Sequence, residues 1–462
     1  MNDCRLWAPQ AWLNGGWRAG VLLQLGRDGR FAAVTPDVAA PPSDAQVLPG
    51  PVLPGLVDAH SHAFQRAFAG LAERRSGAHD DFWSWRDRMY GVALRITPAQ
   101  LAAVAGQLYA ELLCGGYTQV CEFHYLQHAP DGRPYADRLA MATALADAAA
   151  QTGIGLTLLP TLYERAGFRQ PALRDDQRRF AASAADVLAM QRAIAGWRRP
   201  WVNAGVAIHS LRAAAPEAIA ALAAGLGDDA LPVHVHVAEQ TAEVDDCLAA
   251  TGQRPIAWLA SRGLLDARWQ LVHATHATPA EVDAVADSGA GIVLCPSTEA
   301  NLGDGLPDLP RWLAARVGLA IGSDSQVGRS WPQELRWLDY GQRLALRQRN
   351  VAAAPELGLD ATAARLFNRA LAGGAGAAGF DDWGLRTGAR ADLLVVDAQA
   401  PGLRGLPASH ALDALVFATD APAFAEVWVA GERVVQDGQH RDAEAIGERF
   451  DAAMAALWAD GA

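Results

Sequence analysis

The sequence predicts an α/β fold, a (β/α)8 TIM-like barrel that carries a small β-sandwich domain built from both chain ends. Three observations predict it. Eight apolar, β-branched runs each end in polar residues, alanine-rich helical stretches separate them, and both ends of the chain alternate apolar and polar positions. Strands buried on both faces read as near-continuous apolar runs, and their alternation with helices indicates a parallel sheet that closes at eight units.

In order, the runs are GLVDAHSH, YTQVCEFHY, GIGLTLLPTLYE, VNAGVAIHS, LPVHVHVAEQ, WQLVHATHA, GAGIVLCPSTE and LAIGSDSQ. Between them, Pro216 to Leu226 reads as a helix. So does Thr278 to Gly289, which opens on a Thr-Pro-x-Glu start signal and closes at a glycine. Residues 1–52, with a turn at GRDGR, and residues 386–440, with ADLLVVDA and FAEVWVAGERVVQDGQH, supply the hairpin-like strands of the small domain. Residues 53–385 form the barrel, and residues 441–462 a final amphipathic helix. GAGAAG, Gly374 to Gly379, satisfies G-x-G-x-x-G but follows a helical pattern, so it reads as a helix end and loop rather than a dinucleotide site. The cluster FWSWRDRMY, Phe82 to Tyr90, reads as packing or a loop cap.

At 462 residues, 51% hydrophobic and 19% charged, the chain can bury a large core. A net charge of −12 leaves no basic footprint for nucleic acid or an anionic membrane, which points to a small-molecule partner. No apolar run approaches the length of a bilayer span, and MNDCRLWAPQ has no signal pattern. The five cysteines are scattered and lack C-x-x-C pairing, which fits reduced thiols and a cytoplasmic location. All 39 basic residues are arginines. The absence of lysine excludes Schiff-base catalysis, a P-loop lysine and a carbamylated-lysine metal bridge.

Barrel enzymes gather their chemistry at the C-terminal ends of the strands, so the polar residue that closes each run is the informative one. The first run ends in His60 and His62, the fifth in His236 with Glu239 beyond it, the sixth in His273 and the eighth in Asp324. Histidines at i and i+2 share a strand face. His60, His62, His236 and Asp324 supply three imidazoles and a carboxylate, a set suited to Zn²⁺ or a similar divalent ion with a position left for water. Such an ion lowers the pKa of its water to about 7. Asp324 is then placed to accept that water's proton, Glu239 to shuttle a proton to a leaving nitrogen, and His273 to steady the hydroxide or the polarised substrate. In HVHVAEQTAE, His234 lies deeper in the barrel and reads as a buried neighbour of the site, and Glu243 as a solvated or helix-start residue. His79, His128, His410 and His440 read as surface or structural residues, while His124 and His276 stay open.

LPGLVDAHSH, HVHVAEQ, LVHATH and IGSDS resemble the metal-binding strand ends of the amidohydrolase superfamily over nearly the whole chain, and the H-x-H, H-x-x-E, H, D pattern without lysine resembles its mononuclear deaminase branch. Within that branch, SHAFQRAFAG, FWSWRDRMY, EFHYLQH, IHSLRA, CPSTEANLGDG and GSDSQVGRSWPQELRWLDYGQRL resemble the formimidoylglutamate deiminase family. The resemblance implies one zinc per chain, a homodimer, and hydrolysis of N-formimino-L-glutamate, a dicarboxylate of histidine degradation, to N-formyl-L-glutamate and ammonia. It also implies that Gln65, Arg86, Tyr125, His209 and Arg212 line the substrate pocket. The two arginines would meet the carboxylates and Gln65 the formimino end. A surface salt bridge from Arg86 to Asp87 or Glu73 is the competing reading for that arginine. A purine, pterin or other aromatic amine on the same metal site, and a barrel without catalysis, stand as the alternatives.

Overall fold

The computed structural model describes residues 4–75, 82–227 and 229–459, so His79 lies outside the described residues. All eight expected runs form strands: β1 (Leu56–Ser61), β2 (Tyr117–His124), β3 (Gly155–Leu162), β4 (Val206–Ser210), β5 (Val233–Val237), β6 (Trp269–His273), β7 (Gly291–Leu294) and β8 (Gly318–Ile321). Each pairs in parallel with the next. A short strand, Val202–Ala204, also pairs with β3 and leads into β4 through Gly205, where a Cβ would run into Pro232.

The barrel closes between β1 and β8 at a single bridge, Ser61 to Asp324. There the Asp324 N–H donates to the His60 carbonyl at 2.9 Å and the His62 N–H to the Asp324 carbonyl at 3.3 Å. The hydroxyl and N–H of Ser323 both donate to the buried Asp58 of β1, at 2.5 and 2.9 Å. The seam and the candidate ligands therefore coincide.

The helices form where the start and stop signals stand. Pro216–Leu226 is helical, and Pro279–Ser288 begins with the Thr278 and Glu281 capping box and ends at Gly289 in the left-handed region, φ 77°. The helix Phe82–Ala93 covers the C-terminal end of the barrel, so the FWSWRDRMY cluster is a helix rather than a loop. GAGAAG lies at the end of the helix Thr362–Ala377, as expected.

Both chain ends join in one continuous sheet. Its strand order is 439–440, 432–436, 424–429, 393–396, 52–54, 4–13, 16–25 and 31–35, with 46–47 beside 4–13. The two halves meet where Leu393–Val396 pairs antiparallel with Val52–Pro54. Alternation along the strand divides the burial. Leu393 and Val395 join Leu6, Leu23 and Phe31 in the sheet's own core, while Leu394 and Val396 face the core shared with the barrel. Since Val52–Pro54 belongs to this sheet, we place the division between the two units at Gly55, where a Cβ would collide with Thr118. The final helix, Ala443–Leu457, packs against the helix Pro98–Cys114. Among the described residues, no helix is long and apolar enough to cross a membrane.

Candidate active site

Four strand ends converge. His60 and His62 project from β1 and its exit, His236 from β5, and Asp324 follows β8. The ligand atoms of the three histidines lie within 4.8 Å of one another. His60 Nε2 is 3.0 Å from His236 Nε2, and Asp324 Oδ1 is 3.5 Å from both His60 Nε2 and His62 Nε2. The Nδ1 atoms of His62 and His236 face backbone carbonyls, Phe123 at 3.1 Å and His209 at 2.8 Å. A carbonyl only accepts, so Nδ1 carries the proton and the Nε2 lone pair points into the cluster.

Burial pushes the His62 pKa down to about 3 and holds His60 and His236 below the ordinary histidine value, with neighbouring imidazoles adding to the effect. Burial works to raise Asp324, but the hydrogen bond from His60 and the surrounding histidines keep its carboxyl below the usual carboxylate range. Neutral imidazoles and one carboxylate converging on a point fit a divalent ion such as zinc. A second group, His273, Cys295 and Asp324, is equally compact, but burial drives the Cys295 thiol well up and away from the thiolate a metal requires.

Glu239 and His273 flank this cluster. His273 Nε2 lies 3.8 Å from Glu239 Oε1 and 3.8 Å from Asp324 Oδ2. Burial raises the Glu239 pKa, partly opposed by His273, whereas the carboxylates around His273 overcome burial and raise its pKa. The strand exits here are bent. Ala238, His273, Ala274 and Asp324 have φ of 53°, 70°, 49° and 50°, a left-handed conformation that non-glycine residues seldom adopt and that recurs at functional sites.

All five expected substrate residues line one cavity together with His62, His236, Glu239, His273 and Asp324. The Gln65 amide donates to the Tyr125 hydroxyl at 3.2 Å, leaving the buried Gln65 Oε1 without a partner among the described residues. The guanidinium of Arg86 lies 4.5 Å from the centre of the Trp83 ring, and that of Arg212 lies 5.6 Å from the same ring. Among the described residues neither arginine has a carboxylate within salt-bridge distance, so Arg86 pairs with neither Asp87 nor Glu73. Glu73 instead accepts from Asn301. Burial lowers the Arg86 pKa, and the charge of Arg212 adds to that effect. Two cations face one cavity, and among the described residues neither is held in a salt bridge.

His234 is buried with its Nε2 2.8 Å from the Ala377 carbonyl, away from the cluster. Glu243 corrects the expectation of a solvated face. It is buried in the first turn of the helix Thr241–Thr251 and accepts from the N–H groups of Ala238 and Glu239, which fixes the bend that carries Glu239. His124 is buried outside the cluster and its cavity.

Sequence reasoning did not single out Asp58, Glu122, Glu299, Tyr90 or Tyr163. Glu122 accepts from the Ser61 hydroxyl and the Ala63 N–H, 2.9 and 2.6 Å, and so holds the exit of β1. Tyr90 and Tyr163 line the cavity, and both hydroxyls accept from Gln177, at 3.4 and 3.0 Å. Tyr163 stands next to last in the third run, where the strand-end argument applied to it as well as to the others.

The sequence model of the amidohydrolase family matches residues 52–434. The chain belongs to the amidohydrolase family. A formimidoylglutamate deiminase of Pseudomonas aeruginosa is 46% identical over 96% of this chain and 97% of its own length. The crystal structure of an amidohydrolase from Brucella melitensis superposes with a TM-score of 0.92 at 41% identity, covering 98% of this chain and all of the other. An adenosine deaminase from Xanthomonas campestris, solved with bound zinc, shares the fold at a TM-score of 0.80 and 24% identity, covering 98% of each chain.

Proposed function

We propose that this amidohydrolase hydrolyses N-formimino-L-glutamate to N-formyl-L-glutamate and ammonia, a step of histidine degradation. The observation that carries the reading is the pair Arg86 and Arg212. Both guanidiniums lie against Trp83 and face the metal-type cavity, and among the described residues neither forms a salt bridge with a carboxylate, although Glu239 and Glu243 are near enough to Arg212 to interact with its charge. A small dicarboxylate satisfies them. The 46% identity to a formimidoylglutamate deiminase over nearly the whole chain supports the same substrate.

His60, His62, His236 and Asp324 would hold one zinc ion per chain, whose chemistry when bound is to activate water and polarise the substrate. Asp324 Oδ2, the carboxylate oxygen nearer His273, accepts the water's proton. Glu239, held toward its neutral form by burial, delivers a proton to the departing nitrogen. His273 Nε2 donates to the oxygen on which negative charge develops. The unpartnered Gln65 Oε1 accepts the formimino N–H, while Tyr125 and His209 steady the carboxylates held by the arginines. Phe82, Trp85 and Met89 wall the cavity and limit access of water.

The same reading makes the chain a cytoplasmic homodimer. Five unpaired cysteines support a reducing compartment, and light scattering of the purified protein tests the dimer. Ammonia release from N-formimino-L-glutamate, compared with guanine and adenosine, tests the substrate. Turnover of the first alone is the expected result. Turnover of a ring amine in its place overturns the proposal in favour of an aromatic deaminase.

A further inference from the structure

Four histidines meet at the barrel mouth, and their Nδ1 atoms do not all have the same kind of partner: that of His60 has none among the described residues. His62 and His236 place Nδ1 against backbone carbonyls, at 3.1 and 2.8 Å. His273 places Nδ1 3.3 Å from a carboxylate oxygen, Glu299 Oε1. Its ring is stacked on that of His236, with centroids 5.6 Å apart and planes inclined by 14°, so the two imidazoles are parallel neighbours.

Glu299 is well placed to govern this. It is buried in the short helix Pro296–Leu302 that follows β7, and the oxygen that meets His273 also accepts the Cys295 N–H at 2.9 Å. The Glu299 N–H donates in turn to the Cys295 carbonyl at 2.9 Å, and the Glu299 carbonyl accepts from Asp304 at 3.0 Å. The carboxylate therefore has a fixed position before any ligand arrives. Glu299 is not among the residues lining the cavity, so it acts on the reaction only through another group.

We infer that Glu299 is a positioning residue that holds the proton of His273 on Nδ1 and fixes the ring so that Nε2 faces the substrate. The assignment of Nε2 as a donor to the reacting oxygen rests on the function proposed above, whereas the placement of the Nδ1 proton does not. The bond from Nδ1 also resists rotation of the ring about its Cβ–Cγ bond, which would otherwise present Nδ1 to Asp324. Partners that orient metal-ligating histidines, when removed, typically cost about 10- to 100-fold in metal affinity or activity, and a loss on that scale in activity is expected for a histidine that faces substrate.

The test uses metal-loaded enzyme carrying ¹⁵N-labelled histidine. Ring-nitrogen spectra, with His273 assigned by its loss in His273→Asn, are expected to show Nδ1 protonated in the wild type. A bare Nδ1 overturns the inference, and this readout needs neither substrate nor a variant of Glu299. In Glu299→Ala, kcat for ammonia release is expected to fall by about 10- to 100-fold, with KM within about threefold and metal content unchanged. Glu299→Gln keeps an accepting oxygen and is expected to recover most of that loss. Unchanged kcat in Glu299→Ala, equal losses in the two variants, or a loss that tracks metal content each overturn it. A wild type that turns over no formimino substrate while Nδ1 reads protonated refutes the proposed function and leaves the role of Glu299 standing.

Discussion

Glu239 and Asp324 are both buried acids, yet their surroundings drive them apart. Asp324 sits among imidazoles and stays below the usual carboxylate range, whereas burial raises Glu239. Pairs of groups separated in this way mark the base and the acid of a site. Glu239→Gln keeps the volume and removes the exchangeable carboxyl proton, so kcat is expected to fall by about 10²- to 10⁴-fold with metal content intact. Loss of the metal in that variant, measured by elemental analysis, would make Glu239 a ligand instead. Arg212→Met and Arg86→Met remove the charges that select a dicarboxylate. Each is expected to lower kcat/KM by at least about tenfold, mainly through KM, and an unchanged steady-state KM in both would remove the carboxylate clamp. The candidate metal ligands were legible because each stands at the end of an apolar run, and a strand end in a parallel barrel has one address; Arg86, inside the helix Phe82–Ala93, closes no run and was reached only through the family resemblance. Glu299, Asp58 and Glu122 were not legible. Each works across the barrel, from β7 to β6, from β1 to β8 and from β2 to β1, and no spacing in the chain encodes those partnerships.

At the level of elements, β-branched runs and start signals located the strands and the helix boundaries because those signals are local. The single chain-end sheet depends on the pairing of residues 52–54 with 393–396, which is remote in sequence. The contact between the helices Trp331–Leu346 and Pro296–Leu302 is also non-local, though over a shorter stretch of chain. The buried Glu334 accepts from the Ser297 hydroxyl at 2.6 Å and its N–H at 2.9 Å, and a Cβ on Gly328 would collide with the same carboxyl. Burial raises the Glu334 pKa to about 8, against the hydrogen bonds that lower it. In the unfolded chain the same group titrates near the ordinary glutamate value, about 4.3. Between those values the folded state binds the extra proton, so Glu334 makes stability fall as pH rises from about 4.3 to about 8. Glu334→Gln cannot ionise. Melting temperatures from pH 5 to 9 should show the wild type losing stability relative to this variant as pH rises, and a constant difference would refute the buried neutral carboxyl.

On the scale of the whole molecule, the barrel's weakest closure and its metal-type cluster occupy one place. β1 and β8 share a single bridge, supported by Asp324 to His60, His62 to Asp324 and Ser323 to Asp58. The candidate ligands come from both sides of that seam, His60 and His62 on one and Asp324 on the other, with His236 opposite on β5. An ion bound there joins the first and last strands directly. Binding to the folded state alone stabilises it by about 2.7 kcal/mol when the free metal is a hundred times its dissociation constant. Unfolding entropy near 2.1 cal/mol/K per residue makes that about 3 °C in melting temperature for a chain of this length. Removing the metal with a chelator should therefore lower the melting temperature by at least that amount, and returning zinc should restore it. His62→Ala should show a much smaller response. Hydrogen exchange should quicken first in β1 and β8 on metal removal. A uniform change across all eight strands, or no change in melting once the metal has left, would mean that the seam holds without its ion.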